Sequence, residues 1–179
     1  MFHPDTQFLI DHWTDLSRRV EARAGIPARS AIEPAALGLR LPRVFMADRP
    51  GEEAVVRLAG GWIEDFHGAH LKDQPLFSLW RPASRPLIAA AQNQALREAR
   101  PVVVIGQAGL AAAQIEISLV PLRGPSGEPD RILGLYAPAA TLTLAKDESR
   151  LLTARVSIGV GEPARAPLSL AAVHGRRLA

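Results

Sequence analysis

Read as a run of apolar and polar positions, the chain predicts helix, strand, strand, short helices, a long helix and then three strands. Over residues 4–24, Phe8 or Leu9, Trp13, Leu16 and Val20 recur at helical steps, while Asp11, Asp15, Arg18 and Arg19 fall on the other side. That is an amphipathic stripe, opened by Asp5 or Thr6 and closed by Gly25 and Pro27. The apolar run at 44–47 ends in the turn residues Asp48, Arg49, Pro50 and Gly51. Residues 53–59 alternate, with β-branched Val55 and Val56, and predict a second strand paired back on the first. After Gly60 and Gly61, the spacing of Trp62, Ile63 and Phe66 starts a short helix.

The long helix spans 84–99, with Leu87, Ile88, Ala91, Ala95 and Leu96 on one face and Gln92, Asn93, Arg97 and Glu98 elsewhere. Pro101 ends it, and Val102, Val103, Val104 and Ile105 form a strand that breaks at Gly106. Ile115, Ile117 and Leu119 alternate with Glu116 and Ser118, and residues 131–136 supply the last strand. The order predicts an α+β domain: a five-stranded antiparallel sheet with helices on one face, preceded by the amphipathic N-terminal helix. It divides the chain into that helix at 1–27, a domain at 28–137, and an extension at 138–179 that is partly ordered at best.

Composition narrows the chemistry. A length of 179 residues suits one domain with a tail, and 47% hydrophobic with 22% charged residues is ordinary globular material. The absence of cysteine excludes disulfides, thiolate zinc sites, iron–sulfur clusters, thiol nucleophiles and cysteinyl-flavin photochemistry. The first residues lack the basic start of a signal peptide, and no segment has the ~18–20 apolar residues of a membrane span. A soluble cytoplasmic protein without membrane contact is expected. The net charge is only +3, and the basic spots Arg18 with Arg19, Arg40 with Arg43, and Arg176 with Arg177 are scattered. Nucleic-acid binding needs such charges clustered with aromatics, so none is expected.

An ordered set of modest motifs carries a resemblance. Pro27-Ala28-Arg29, Ile32-Glu33-Pro34-Ala35-Ala36 and Leu41-Pro42-Arg43-Val44-Phe45 are followed by Val56-Arg57-Leu58-Ala59-Gly60, Phe66-His67-Gly68 and Leu71. Leu79-Trp80, Arg100-Pro101-Val102, Glu116, Leu119-Val120-Pro121-Leu122 and Ile132-Leu133-Gly134 complete it. Over roughly residues 5–137 the chain resembles the small stand-alone PAS proteins of the PAS_5 type. The resemblance implies a non-catalytic sensory or regulatory module that signals in trans through protein contacts, with a partner or as a homodimer, gated by a small ligand in a cavity between helices and sheet.

Around that cavity the resemblance places Trp62, Phe66, Phe77, Trp80 and Ile117; aromatics at this spacing also serve simply as core. Leu9, Trp13, Leu16 and Val20 either pack on the domain or form a partner or dimer face. No catalytic or metal site is expected: His67, His70 and Asp73 have ligand spacing but sit where a helix ends at Gly68. The long helix has no histidine for haem, and Gln92, Asn93, Gln94, Gln107 and Gln114 read more simply as solvated residues than as flavin partners. No cofactor is therefore expected. The rival readings are a small isomerase or hydrolase with Asp65, His67 or His70 as base, and a cyclic-dinucleotide effector using Arg18 and Arg19 or Arg40 and Arg43.

Overall fold

The chain was analysed as a computed structural model, which describes residues 1–20, 25–49, 51, 53–143, 145, 148–163, 172–173 and 176–177. Helix α1 is Pro4–Arg18, α2 is Pro34–Leu37, α3 is Gly61–His67 and α4 is Arg85–Glu98. Strands β1 (Val44–Asp48), β2 (Val55–Ala59), β3 (Val102–Ala108), β4 (Ala113–Leu122), β5 (Arg131–Pro138) and β6 (Thr153–Gly159) form one sheet in the order β2-β1-β5-β4-β3-β6. Every neighbouring pair is antiparallel. A separate ribbon pairs Ala172–Val173 with Arg176–Arg177.

The predicted α+β fold is present, with one strand more than expected. Strand β6 comes from the extension at 138–179 and covers the edge of β3, which would otherwise present an unpaired row of backbone groups. Its entry is tied down first. Leu152 is buried, donates its N–H to Leu79 O and accepts from Arg81 N–H, and the Ser84 hydroxyl accepts from Ala154 N–H at 2.9 Å. The break expected at Gly106 is a bulge in the β3–β6 pairing, through which β3 continues to Ala108.

Period-two alternation sorts the sheet residues onto two faces. Phe45, Val56, Val104, Ile115, Ile117, Leu119, Ile132 and Tyr136 face α3 and α4, where Ile63, Phe66, Ile88, Ala91, Ala95 and Leu96 complete the main core. On the opposite face, Leu9 and Trp13 of α1 pack with Leu37, Val44, Val120, Leu122, Leu133 and Leu135. Helices therefore cover both faces. The α1 helix ends at Arg18, earlier than the expected residue 24, because Arg19 and Val20 N–H turn back to Leu16 O and Ser17 O in tighter bonds. Its first turn is anchored by Asp5, which accepts from Arg40 and Arg43 at 2.8 Å each, and by Phe8 beneath the Arg40 guanidinium.

Candidate functional site

Strand β5 delivers Tyr136 to the middle of the main core, and the other aromatic groups gather about it. Phe45 meets its ring edge-on at 5.9 Å, Trp62 at 6.2 Å and Phe66 at 6.4 Å, while Trp62 and Phe66 stack on each other at 5.3 Å. Gly134, two residues earlier on the same face, makes room for Phe45, since a Cβ there would come within 2.1 Å of that ring. The α3 helix ends at Gly68, whose φ of +66° is the left-handed turn glycine allows. This stop presents His67 inward, with Nε2 3.2 Å from Tyr136 Oη. The imidazole also bonds the backbone of Arg150. Burial pushes His67 down to about 4, and burial pushes the Tyr136 phenol up.

Between helices and sheet the interior retains a cavity of about 10 Å³ lined by Phe45, Leu76, Trp80, Ile88, Val104, Ile117, Leu119 and Tyr136. That is room for roughly one water. Of the five residues expected there, Trp80 and Ile117 line it. Phe66 is buried in the same core, with Trp62 and Phe77 half-buried and packed against it, none of the three on the cavity wall. The sequence reading missed Tyr136, although it lies on the inward phase of β5 with Ile132.

One turn along α4 from Ile88 lies Gln92, only 1% exposed, with neither amide atom hydrogen-bonded. This corrects its placement on a solvated face. A buried amide without partners costs on the order of 1–3 kcal/mol. Glu116 is a second polar residue removed from water. It lies on the outward face of β4 yet is 8% exposed, with Oε2 accepting from His3 N–H at 2.9 Å.

The face expected to meet a partner is largely spent inside the chain. Leu9 and Trp13 are buried on the sheet, and Trp13 Nε1–H donates to Pro121 O at 2.7 Å. Leu16 and Val20 are half-buried. The residues of the enzyme reading do not converge: Asp65 is exposed, His70 is exposed beside Glu64 at 3.4 Å, and His67 turns inward. Among the described residues, no cluster of three His, Cys, Asp or Glu side chains stands ready for a metal ion. Arg40 and Arg43 are taken up by Asp5, and Arg18 pairs with Asp15 at 3.4 Å. Among the described residues, no helix is long and apolar enough to cross a membrane.

No curated protein sequence matches the chain. Solved structures of similar shape include light-oxygen-voltage domains. One, described as "Flavin Analogue Sheds Light on Light-Oxygen-Voltage Domain Mechanism", is 13% identical at a TM-score of 0.47, with 60% of this chain and 84% of that one covered. The light-state blue-light photoreceptor Aureochrome1 LOV is 12% identical at a TM-score of 0.43, covering 62% and 91%. The Rhodobacter sphaeroides LOV protein is 16% identical at a TM-score of 0.44, covering 79% and 70%.

The expectation of no cofactor is corrected by these neighbours, one of which is described in terms of a flavin analogue. The interior as packed does not fit such a ring, because about 10 Å³ is far below the roughly 300–1,000 Å³ of small-molecule sites. Gln92, whose amide is buried without a partner, is not on the wall of that cavity. The strand order, the helices over the aromatic core and a family match across residues 1–137 lead to one conclusion: the chain belongs to the PAS_5 family of PAS domains, a sensory fold.

Proposed function

We propose that the chain is a non-catalytic regulatory module whose interior state is reported to a protein partner across the sheet. What supports this reading is the double role of β5. Tyr136 enters the aromatic core on one side, while Leu133 and Leu135 hold α1 on the other. A ligand that repacks the core acts on the strand that seats α1, and it biases the two arrangements by its difference in affinity for them.

The unpaired amide of Gln92 supports a ligand with hydrogen-bonding edges. Flavin, named for one of the similar light-oxygen-voltage domains, is one such compound, and it enters only if the core opens by several hundred Å³. With no cysteine in the chain, any light response through a cysteinyl adduct is excluded.

Native mass spectrometry of the full chain from its own cells, with absorption spectra of the same sample, tests this reading. A retained small molecule, with a flavin band if it is flavin, or a stoichiometric protein partner is the expected result. A bare chain that turns over ester or carbonyl substrates overturns it.

A further inference from the structure

The outer face of the sheet holds a carboxylate whose ionic partner is missing. Glu116 is buried, at 8% exposure. Its Oε2 accepts the His3 N–H at the start of α1, where the positive end of the helix favours a negative group. Among the described residues no arginine, lysine or terminal ammonium pairs with it, and Oε1 has no donor. That oxygen is not among the buried unpaired atoms, so it reaches the surface of the groove that Glu116 lines. The open oxygen leaves the carboxylate with capacity for a further donor from the groove.

The groove measures about 280 Å³ and is walled by Met1, Phe2, His3, Gln114, Ala137 and Ala139. This falls just short of the roughly 300–1,000 Å³ of small-molecule sites and suits one long side chain. Apolar wall residues Met1, Phe2, Ala137 and Ala139 with a carboxylate at the base match an arginine, whose stem packs on apolar surface while its guanidinium binds the carboxylate through two N–H groups. The site continues beyond a small molecule's reach. The register aligns Val156, Ile105, Glu116 and Ala137 across four strands, a row of roughly 14 Å at the usual strand spacing. Val156 in that row is 45% exposed.

We infer that this groove is a docking site for an arginine-bearing segment of a partner protein, with the arginine on Glu116 and an apolar neighbour over Ile105 and Val156. The inference rests on the reading of the chain as a module that acts through protein contacts, and it names the chemistry of the contact.

The test titrates acetyl-Phe-Arg-amide into the full chain while following the amide resonances of Gln114, Ala137 and Ala139. Those resonances are expected to shift, with binding about tenfold weaker for the neutral citrulline peptide or for Glu116→Gln. Gln114→Arg, two residues away on the same strand face, is expected to fill the groove from within, raise the melting temperature and abolish the shifts. Equal shifts from both peptides, or none, overturn the inference. So does a wild-type dimer that Glu116→Gln converts to monomer in sedimentation equilibrium, because the arginine then comes from a second copy. A retained ligand or partner in native mass spectrometry leaves the regulatory reading standing even if the peptide fails to bind.

Discussion

His67 Nε2 lies 3.2 Å from the hydroxyl of Tyr136, and the same imidazole bonds the backbone of Arg150. One ring therefore links the end of α3, the middle of β5 and the segment leading into β6. The geometry suits a neutral imidazole that accepts from the phenol through Nε2.

That arrangement predicts a pH dependence. His67 is held at about 4 when folded, against 6.5 when exposed. Between those values the unfolded chain binds more protons than the folded one, so stability rises with pH across the window and falls as pH drops from about 6.5 to about 4. The loss is at most on the order of 3 kcal/mol. Urea unfolding at a series of pH values measures it, and His67→Gln is expected to flatten the slope in that window.

Gly134→Ala forces the buried ring of Phe45 to move, because the added Cβ would fall 2.1 Å from it. Overpacking of this kind costs about 1–3 kcal/mol. Thermal unfolding is expected to show a lower midpoint, and Phe45→Leu in the same chain to recover part of it.

Gln92→Leu replaces a buried amide without partners by an apolar group of similar size. The ligand-free protein is expected to gain about 1–2 kcal/mol. If the interior takes a ligand with polar edges, the variant should also retain less of it in native mass spectrometry. A destabilised variant would mean that the amide has partners in solution.

Leu152→Ala removes a fully buried side chain at the entry to β6. A cost of about 2–5 kcal/mol is expected, together with faster amide exchange in β3, whose N–H groups lose their neighbour. Unchanged exchange in β3 would show that β6 is dispensable to the sheet.

Much of this architecture was legible in the chain itself. The alternation at Ile115, Ile117 and Leu119, the apolar face from Ile88 to Leu96, and the glycine after His67 fix strands and helix ends locally, because side-chain period and backbone freedom are properties of a few adjacent residues. The ordered motifs then placed those elements in the right family. Tertiary packing decided the rest. Whether Gln92 and Glu116 meet water, which side of the sheet α1 covers, and that residues 153–159 complete an edge all depend on partners distant in sequence. Amphipathicity says that Leu9 and Trp13 need an apolar surface; only the packed sheet shows that this surface is β4 and β5 of the same chain, since burial is a property of the neighbours as much as of the residue.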